Sequence, residues 1–499
     1  MSLVLDAVRS QARLQPDVVV LDDGDLTLTA HALLCALESV REWVQAQSCR
    51  SIALAGDNSL SWIICDLALL DLPVRVIPLP TFFSSAQIEH VLQQSQVDTV
   101  PAMALDALME HGICAFQYLD VNYDIVASRR LPDAIATDFS SYEKITFTSG
   151  STGTAKGVRL TLDTLEQTAN AVANALRPLT IASHLGVLPF ATLLENIAGL
   201  YAPLLQGVCI HVRRQEQLGL ASPAQFNPFL LLSEIQRVRP QATILVPQLL
   251  LALVSLLERG LSLNGDFRFI AVGGGKVSTA MLEQARTLGL PVYEGYGLSE
   301  CGSVVALNLP GADRVGSVGK PMSHCGVRVN EEGEILVRGS AMSGYLGEAI
   351  SSGGEIATGD LGHIDADGFL HVSGRKKNMF ITAFGRNVNP EWVEAELLRH
   401  LPVRQVAVFG EAMPRNRAVI VARAGYGQAD VAAAVTACNL TLPDYARIGR
   451  VLLATEPFTV ENGLATANGR VRRGEVEKHF QNFLQQDLLP SINVFSVEE

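Results

Sequence analysis

The segment Ile145-Thr146-Phe147-Thr148-Ser149-Gly150-Ser151-Thr152-Gly153-Thr154-Ala155-Lys156-Gly157 is an apolar run that opens into glycines and hydroxyls and closes on a lysine. A loop of this composition can aim backbone N–H groups and hydroxyls at phosphate oxygens, with Lys156 as the neutralising cation. It departs from the ordinary GxxxxGK[ST] phosphate loop, because Gly157 stands where a Ser or Thr would meet magnesium. A plain Gly-rich turn between two strands is the competing reading.

Such a loop needs a rigid strand ahead of it and a supported sheet around it. Apolar runs at residues 51–54 and 74–78 end in turn residues and enclose a helical stretch at 59–70, and the same grammar recurs at 145–148, 185–188, 243–246 and 269–272. This alternation predicts an α/β body rich in parallel strands backed by helices. After Pro310 the pattern shortens to Gly316-Ser317-Val318-Gly319, Glu334-Ile335-Leu336-Val337-Arg338-Gly339 and Gly368-Phe369-Leu370-His371-Val372. Short strands with Gly-rich turns predict an antiparallel sheet or small barrel-like part over about 310–374. Arg375-Lys376-Lys377 is a charged junction, and beyond it a helix at 390–400, a strand at 406–409 and a helix at 430–437 predict a small α+β domain. The expected division is a large domain over 1–376 and a small one over 377–499.

Length and composition fit that division. A chain of 499 residues is long enough for two or three cores, and 48% hydrophobic against 18% charged residues excludes disorder as the main description. A formal net charge of -13 argues against a nucleic-acid partner, since phosphate backbones are bound by concentrated Lys and Arg. The cysteines Cys35, Cys49, Cys65, Cys114, Cys209, Cys301, Cys325 and Cys438 show no CxxC pair, which supports neither zinc nor a disulfide framework and fits a reducing cytoplasm. The N-terminus lacks a basic region followed by a long apolar run, so no secretory signal is expected. Residues 242–257 are the most apolar stretch, but they contain Pro247 and Gln248 and are too short for a membrane span, which predicts a buried strand feeding a helix. A peripheral membrane contact stays open.

Four more segments, in order, carry a resemblance: Ala271-Val272-Gly273-Gly274-Gly275-Lys276, Val292-Tyr293-Glu294-Gly295-Tyr296-Gly297-Leu298-Ser299-Glu300, Ala357-Thr358-Gly359-Asp360-Leu361-Gly362, and Ser373-Gly374-Arg375 running on to Phe384-Gly385-Arg386. With the hydroxyl-rich loop they resemble the adenylate-forming, AMP-binding superfamily, most of all its fatty acyl-CoA synthetases, from about Ile145 to Glu394. Ser299 replaces a usual Thr and keeps the hydroxyl. The resemblance implies that Thr148, Ser149, Gly150, Ser151, Thr152, Gly153 and Lys156 cradle the phosphates of ATP. It implies that Gly274, Gly275, Glu294, Gly295, Tyr296, Gly297 and Ser299 border the adenine, with Tyr296 stacked on it, and that Glu300 and Thr148 meet Mg2+. It further implies that Asp360 takes the ribose hydroxyls, Arg375 contacts ribose or phosphate, Lys377 is the hinge, and Gly385 approaches the pantetheine arm of coenzyme A. Physically, a π-face suits a base, a carboxylate oxygen suits a hard cation, and a carboxylate accepts from two hydroxyls. Packing of Tyr296 in a core, simple turns at the glycines and a solvated charge run at 375–377 are the bland alternatives. Cys301 reads as buried filler, with no activating base beside it.

Two departures stand out. In Phe458-Thr459-Val460-Glu461-Asn462-Gly463-Leu464-Ala465-Thr466-Ala467-Asn468-Gly469-Arg470, Arg470 occupies the place of the family's catalytic lysine. Its planar fork keeps the charge but not the geometry of an ammonium. In Leu188-Pro189-Phe190-Ala191-Thr192, neither Ala191 nor Thr192 can gate the carboxylate pocket as the family's usual His or aromatic does, which leaves the gating to Phe190 or to nothing. The expected catalytic set is Arg470, Lys156, Thr148 and Glu300, acting by positioning and charge rather than by a covalent nucleophile. The expected reaction forms an acyl-adenylate from a carboxylic acid and MgATP, then passes the acyl group to coenzyme A or to a carrier-protein phosphopantetheine. Leu193, Leu194 and Ile197 with the glycine wall suggest a medium- or long-chain fatty acid, and aryl acids come second. A lactone- or amide-forming enzyme and a catalytically impaired nucleotide-binding protein are the rival readings.

Overall fold

The computed structural model describes residues 2–100, 140–148, 156–220, 226–348, 354–466, 469–485 and 494–497. Among these, the largest sheet has nine strands, in the order Lys320–Pro321, Ala306–Leu307, Val292–Tyr296, Phe269–Val272, Ala242–Leu245, Ser183–Gly186, Cys209–Val212, Val19–Asp22 and Thr27–Thr29. The central strands pair parallel, and antiparallel strands close each edge. Ala242–Leu245 is buried throughout and leads into the helix Pro247–Glu258, whose first residue is the proline. Parallel strands covered on both faces read as continuous apolar runs, and Pro is tolerated at the first helical position, so residues 242–257 form the strand and helix expected. No helix among the described residues is long and apolar enough to cross a membrane.

A second sheet carries the hydroxyl-rich loop. Ser51–Ala55, Arg75–Leu79 and Glu143–Thr148 run parallel, and Lys156–Thr161 returns antiparallel to Glu143–Thr148. The helix Leu60–Leu69 between the first two strands starts where the Ser59 side chain accepts from the Trp62 N–H, satisfying one of the open donors of the first turn. The strand before the loop is anchored from below. Lys144 is fully buried and donates to Asp66 Oδ1 at 2.8 Å, Asn196 Oδ1 at 2.7 Å and Tyr201 Oη at 2.8 Å. Asn196 and Tyr201 belong to the π-helix Glu195–Tyr201. A buried ammonium persists only when it is paired and hydrogen-bonded, so this network ties the strand to that helix.

The antiparallel part is a four-stranded sheet of Gly326–Val329, Glu334–Arg338, Ile356–Ile364 and Leu370–Arg375. The strand expected at residues 316–319 is instead a turn. Gly319 takes φ +90°, and a Cβ there would fall 1.9 Å from the Leu307 backbone, so the glycine serves a close crossing rather than a ladder.

Beyond Lys377, the strands Val403–Phe409, Asn416–Ala422, Ile448–Ala454 and Val494–Ser496 form a separate sheet. Its side chains alternate. Val406, Val408, Ala418 and Ile420 enter one apolar cluster with the helices Pro390–Leu398 and Gln428–Asn439, while Ala407, Phe409, Val419 and Val421 enter another with Val476 and Phe483. Both faces are covered, as the period of two requires.

Candidate active site

The hairpin of Glu143–Thr148 and Lys156–Thr161 pairs Thr148 with Lys156, so the chain leaves and re-enters the sheet at one point. Ser149, Gly150, Ser151, Thr152 and Gly153 lie between them, outside the described residues. Residues 343–346 run antiparallel beside the returning strand, with Arg159 N donating to Gly344 O at 3.0 Å and Leu346 N to Gly157 O at 2.8 Å. This places the Tyr345 ring under Lys156, whose Nζ stands 5.0 Å from its centroid. The Tyr345 hydroxyl donates to Glu300 Oε1 at 3.1 Å. One aromatic side chain thus bridges the loop lysine and the carboxylate expected to meet magnesium. Tyr345 was not singled out from the sequence, because a tyrosine after a glycine in a short-strand region carries no distinctive local signal.

Asp360 is the second node. It is 4% exposed, its Oδ1 is 2.8 Å from Arg375 Nε, and its Oδ2 accepts from the Tyr296 hydroxyl at 2.7 Å. The pair with Arg375 follows from register, since Asp360 and Arg375 face each other across Ile356–Ile364 and Leu370–Arg375. Burial raises the carboxyl pKa, and Arg375 and Tyr296 offset part of that. The nearby charges of Glu391 and then Glu300 raise it further. A carboxylate offers about four lone pairs, so Asp360 keeps room for ribose hydroxyls beside its two protein donors.

The charged junction alternates in side. Lys376 turns outward to Glu332 and Glu334, while Lys377 sits where desolvation and then the Arg375 charge lower its pKa, and Glu391 and Asp360 raise it. Glu391, at the start of Pro390–Leu398, accepts from Asn378 Nδ2 at 2.6 Å. Its place beside the charged junction was not singled out from the sequence, because it depends on how the small domain folds back.

Arg470 crosses the cleft. Its Nη2 donates to Gly274 O at 2.6 Å, joining the small domain to the glycine wall of the large one. The residue keeps a solvent-facing side, yet desolvation and then the Arg375 charge lower its pKa, with Glu391 and Asp360 opposing. An arginine remains charged under such shifts. Behind the wall, Glu294 is 4% exposed and accepts from the Val277 N–H, and burial pushes its pKa up to about 7 against the help of Lys276. Between about pH 4.5 and 7 the folded protein therefore holds a proton at Glu294 that the unfolded chain releases, so stability falls as pH rises through that window. Glu294→Gln is expected to raise the melting temperature at pH 8 by an amount worth about 2–3 kcal/mol and to leave it unchanged near pH 4. Equal shifts at both pH values, measured by calorimetry, would contradict this assignment.

Several expected residues have packing duties. A Cβ on Gly297 would fall 1.4 Å from Ser303 O, so neighbouring backbone already demands glycine there, and one on Gly295 would press on the tip of Leu307 at 2.9 Å. Gly275 lies against Pro247, and Ser299 opens the short helix Ser299–Cys301. Gly385 is at the tip of the hairpin Phe380–Ile381 and Asn387–Val388, beside Phe384, which is 75% exposed. Phe190 is 1% exposed and stacks on Trp62 at 6.1 Å, so it is core. Leu193 and Ile197 are buried in the same apolar cluster as Phe190, with Leu194 packed against it. Cys301 is fully buried and its thiol is pushed well up by burial and then by Glu300.

Residues 8–346 match the family model of the AMP-binding enzyme, and residues 377–486 match the AMP-binding enzyme C-terminal domain. The chain belongs to the AMP-binding enzyme family. Within it, the long-chain-fatty-acid–CoA ligase FadD15 of Mycobacterium bovis is 33% identical over 255 residues, 45% of this chain and 42% of that relative. The match to that ligase therefore spans less than half of its length. The 2-succinylbenzoate–CoA ligase of Bacillus subtilis is 26% identical over 446 residues, 80% of this chain and 83% of the relative. Among solved structures, the anthranilate CoA ligase AuaEII in complex with anthranoyl-AMP superposes with TM-score 0.78 at 18% identity, covering 97% of this chain and 98% of that one. The Bacillus subtilis MenE structure in complex with ATP and magnesium gives 0.73 at 23% identity, covering 94% and 99%. At these identities the structural likeness establishes the α/β architecture with a large N-terminal and a small C-terminal domain.

Proposed function

We propose that this chain is an ATP-dependent acid–CoA ligase that forms AMP. A carboxylate oxygen attacks the α-phosphorus of MgATP and pyrophosphate leaves; the thiol sulfur of coenzyme A then attacks the acyl carbon and AMP leaves. The observation that carries this reading is that the expected site residues fall into two bonded groups, Lys156–Tyr345–Glu300 and Tyr296–Asp360–Arg375, through contacts of 2.7 to 5.0 Å, with Tyr296 and Glu300 four residues apart and Arg470 bonded to Gly274 of the large domain. Asp360 and Tyr296 take the nucleoside, and Thr148, Lys156 and the loop between them take the phosphates. Glu300 Oε1 accepts from Tyr345, which leaves carboxylate lone pairs for the magnesium that arrives with ATP. Arg470 neutralises charge on the α-phosphate in the transition state. The domains divide at 376/377, and rotation about Lys377 withdraws Arg470 and brings Gly385 to the thiol.

For the acid, a medium- or long-chain fatty acid is supported by the likeness to FadD15. The longer alignment with the 2-succinylbenzoate ligase favours an aryl acid as a second reading. A carrier-protein pantetheine is the second candidate acceptor, and the cytoplasm the proposed location. A panel of aliphatic and aryl acids, followed for both pyrophosphate and thioester, tests the reading. Acid-dependent release of both with one class is expected; nucleotide binding with no pyrophosphate from any acid would sink it.

A further inference from the structure

The Tyr345 side chain is doubly engaged, and its backbone is fixed by pairing rather than by loop geometry. Val158 and Tyr345 form an antiparallel bridge, Arg159 N and Leu346 N donate on either side of it, and Met342 N donates to Glu300 O at 2.8 Å. The pairing fixes where the Tyr345 side chain starts, and its ring contact with Lys156 and its hydroxyl bond to Glu300 hold it in place from there. Lys156 is exposed and Glu300 is half-buried, so each would otherwise sample several rotamers. A cation held over a ring face and a carboxylate held by a phenol are two separate restraints, one from the π-system and one from the hydroxyl.

We propose that Tyr345 is a positioning residue for MgATP: its ring sets Lys156 for the phosphates, and its hydroxyl orients Glu300 toward the magnesium. This rests on the ligase reading above. The two restraints act on different parts of the ligand and are separable by substitution. Tyr345→Phe keeps the ring and loses only the bond to Glu300. Tyr345→Leu loses both.

Calorimetric titration with ATP, once in excess chelator and once with saturating magnesium, reads the two restraints without turnover. For Tyr345→Phe, metal-free ATP affinity is expected within about twofold of wild type, while the affinity gained on adding magnesium shrinks by about five- to tenfold, the loss of one hydrogen bond to a charged group. For Tyr345→Leu, metal-free affinity is expected to fall as well, by about three- to fivefold. The magnesium concentration for half-maximal pyrophosphate release should rise in both variants. Should the leucine variant not fold, the phenylalanine variant carries the test by itself, since it removes one oxygen. A phenylalanine variant that keeps the full magnesium gain, or that loses metal-free and magnesium-bound affinity equally, overturns the inference. Wild-type protein that gains nothing from magnesium overturns the ligase reading with it.

Discussion

Arg470→Ala is expected to slow acid-dependent pyrophosphate exchange by about 10²–10³-fold, the usual cost of removing one preorganised charge donor from a transition state. The guanidinium is the group that the small domain sends across the cleft, and its bond to Gly274 O holds it beside Asp360 and Arg375. In an in-line transfer the protein contributes little beyond position and charge, so losing that cation removes charge neutralisation at the moment it is needed. ATP binding should change far less than exchange, because the interaction strengthens only as charge develops. Arg470→Lys is expected to recover exchange to within about tenfold of wild type, because the charge returns without the fork that anchors to Gly274. Thioester formation from a supplied acyl-adenylate should stay near the wild-type rate in both variants, because the step no longer involves the α-phosphate charge. An alanine variant with unchanged exchange would falsify the role and turn attention to Lys377, whose ammonium feels the same three neighbours, Arg375, Glu391 and Asp360.

The second large effect is expected at Asp360. Asp360→Ala should weaken ATP binding by about 10²-fold, as expected for the loss of one or two charge-assisted hydrogen bonds to the ribose. It should also lower stability by about 1–3 kcal/mol, because the Tyr296 hydroxyl and the Arg375 guanidinium lose a common buried acceptor. Asp360→Asn separates the two effects: the amide oxygen still accepts from Tyr296, but the negative charge facing Arg375 is gone. Titration with ATP and thermal unfolding on the same samples check both. A fall in melting temperature with unchanged ATP affinity would leave Asp360 as a structural residue only.

The legible parts of this protein were those where neighbours in sequence are neighbours in space. Glu143–Thr148 and Phe269–Val272 were readable because apolar runs ended in glycine and hydroxyl residues, and Ser59 marked its helix start through a local cap. The turn at 316–319 was misread as a strand because Gly319 serves a crossing with Leu307, a contact no local pattern contains. Leu193, Leu194 and Ile197 mark the limit of such reading, because apolarity shows that a residue leaves water, and not whether protein or ligand covers it.

Patterning along the chain was enough to specify an α/β protein, and its motifs carried the resemblance to the AMP-binding family that residues 8–346 and 377–486 bear out, with Lys156, Tyr296, Glu300, Asp360 and Arg375 as the expected working groups. Tertiary packing alone decided that Tyr345 joins Lys156 to Glu300, that Glu391 stands beside Asn378 and that Arg470 reaches Gly274. The reason is physical. Composition and spacing set what a group can bond, whereas strand pairing and the docking of one domain on another set which groups come within bonding distance.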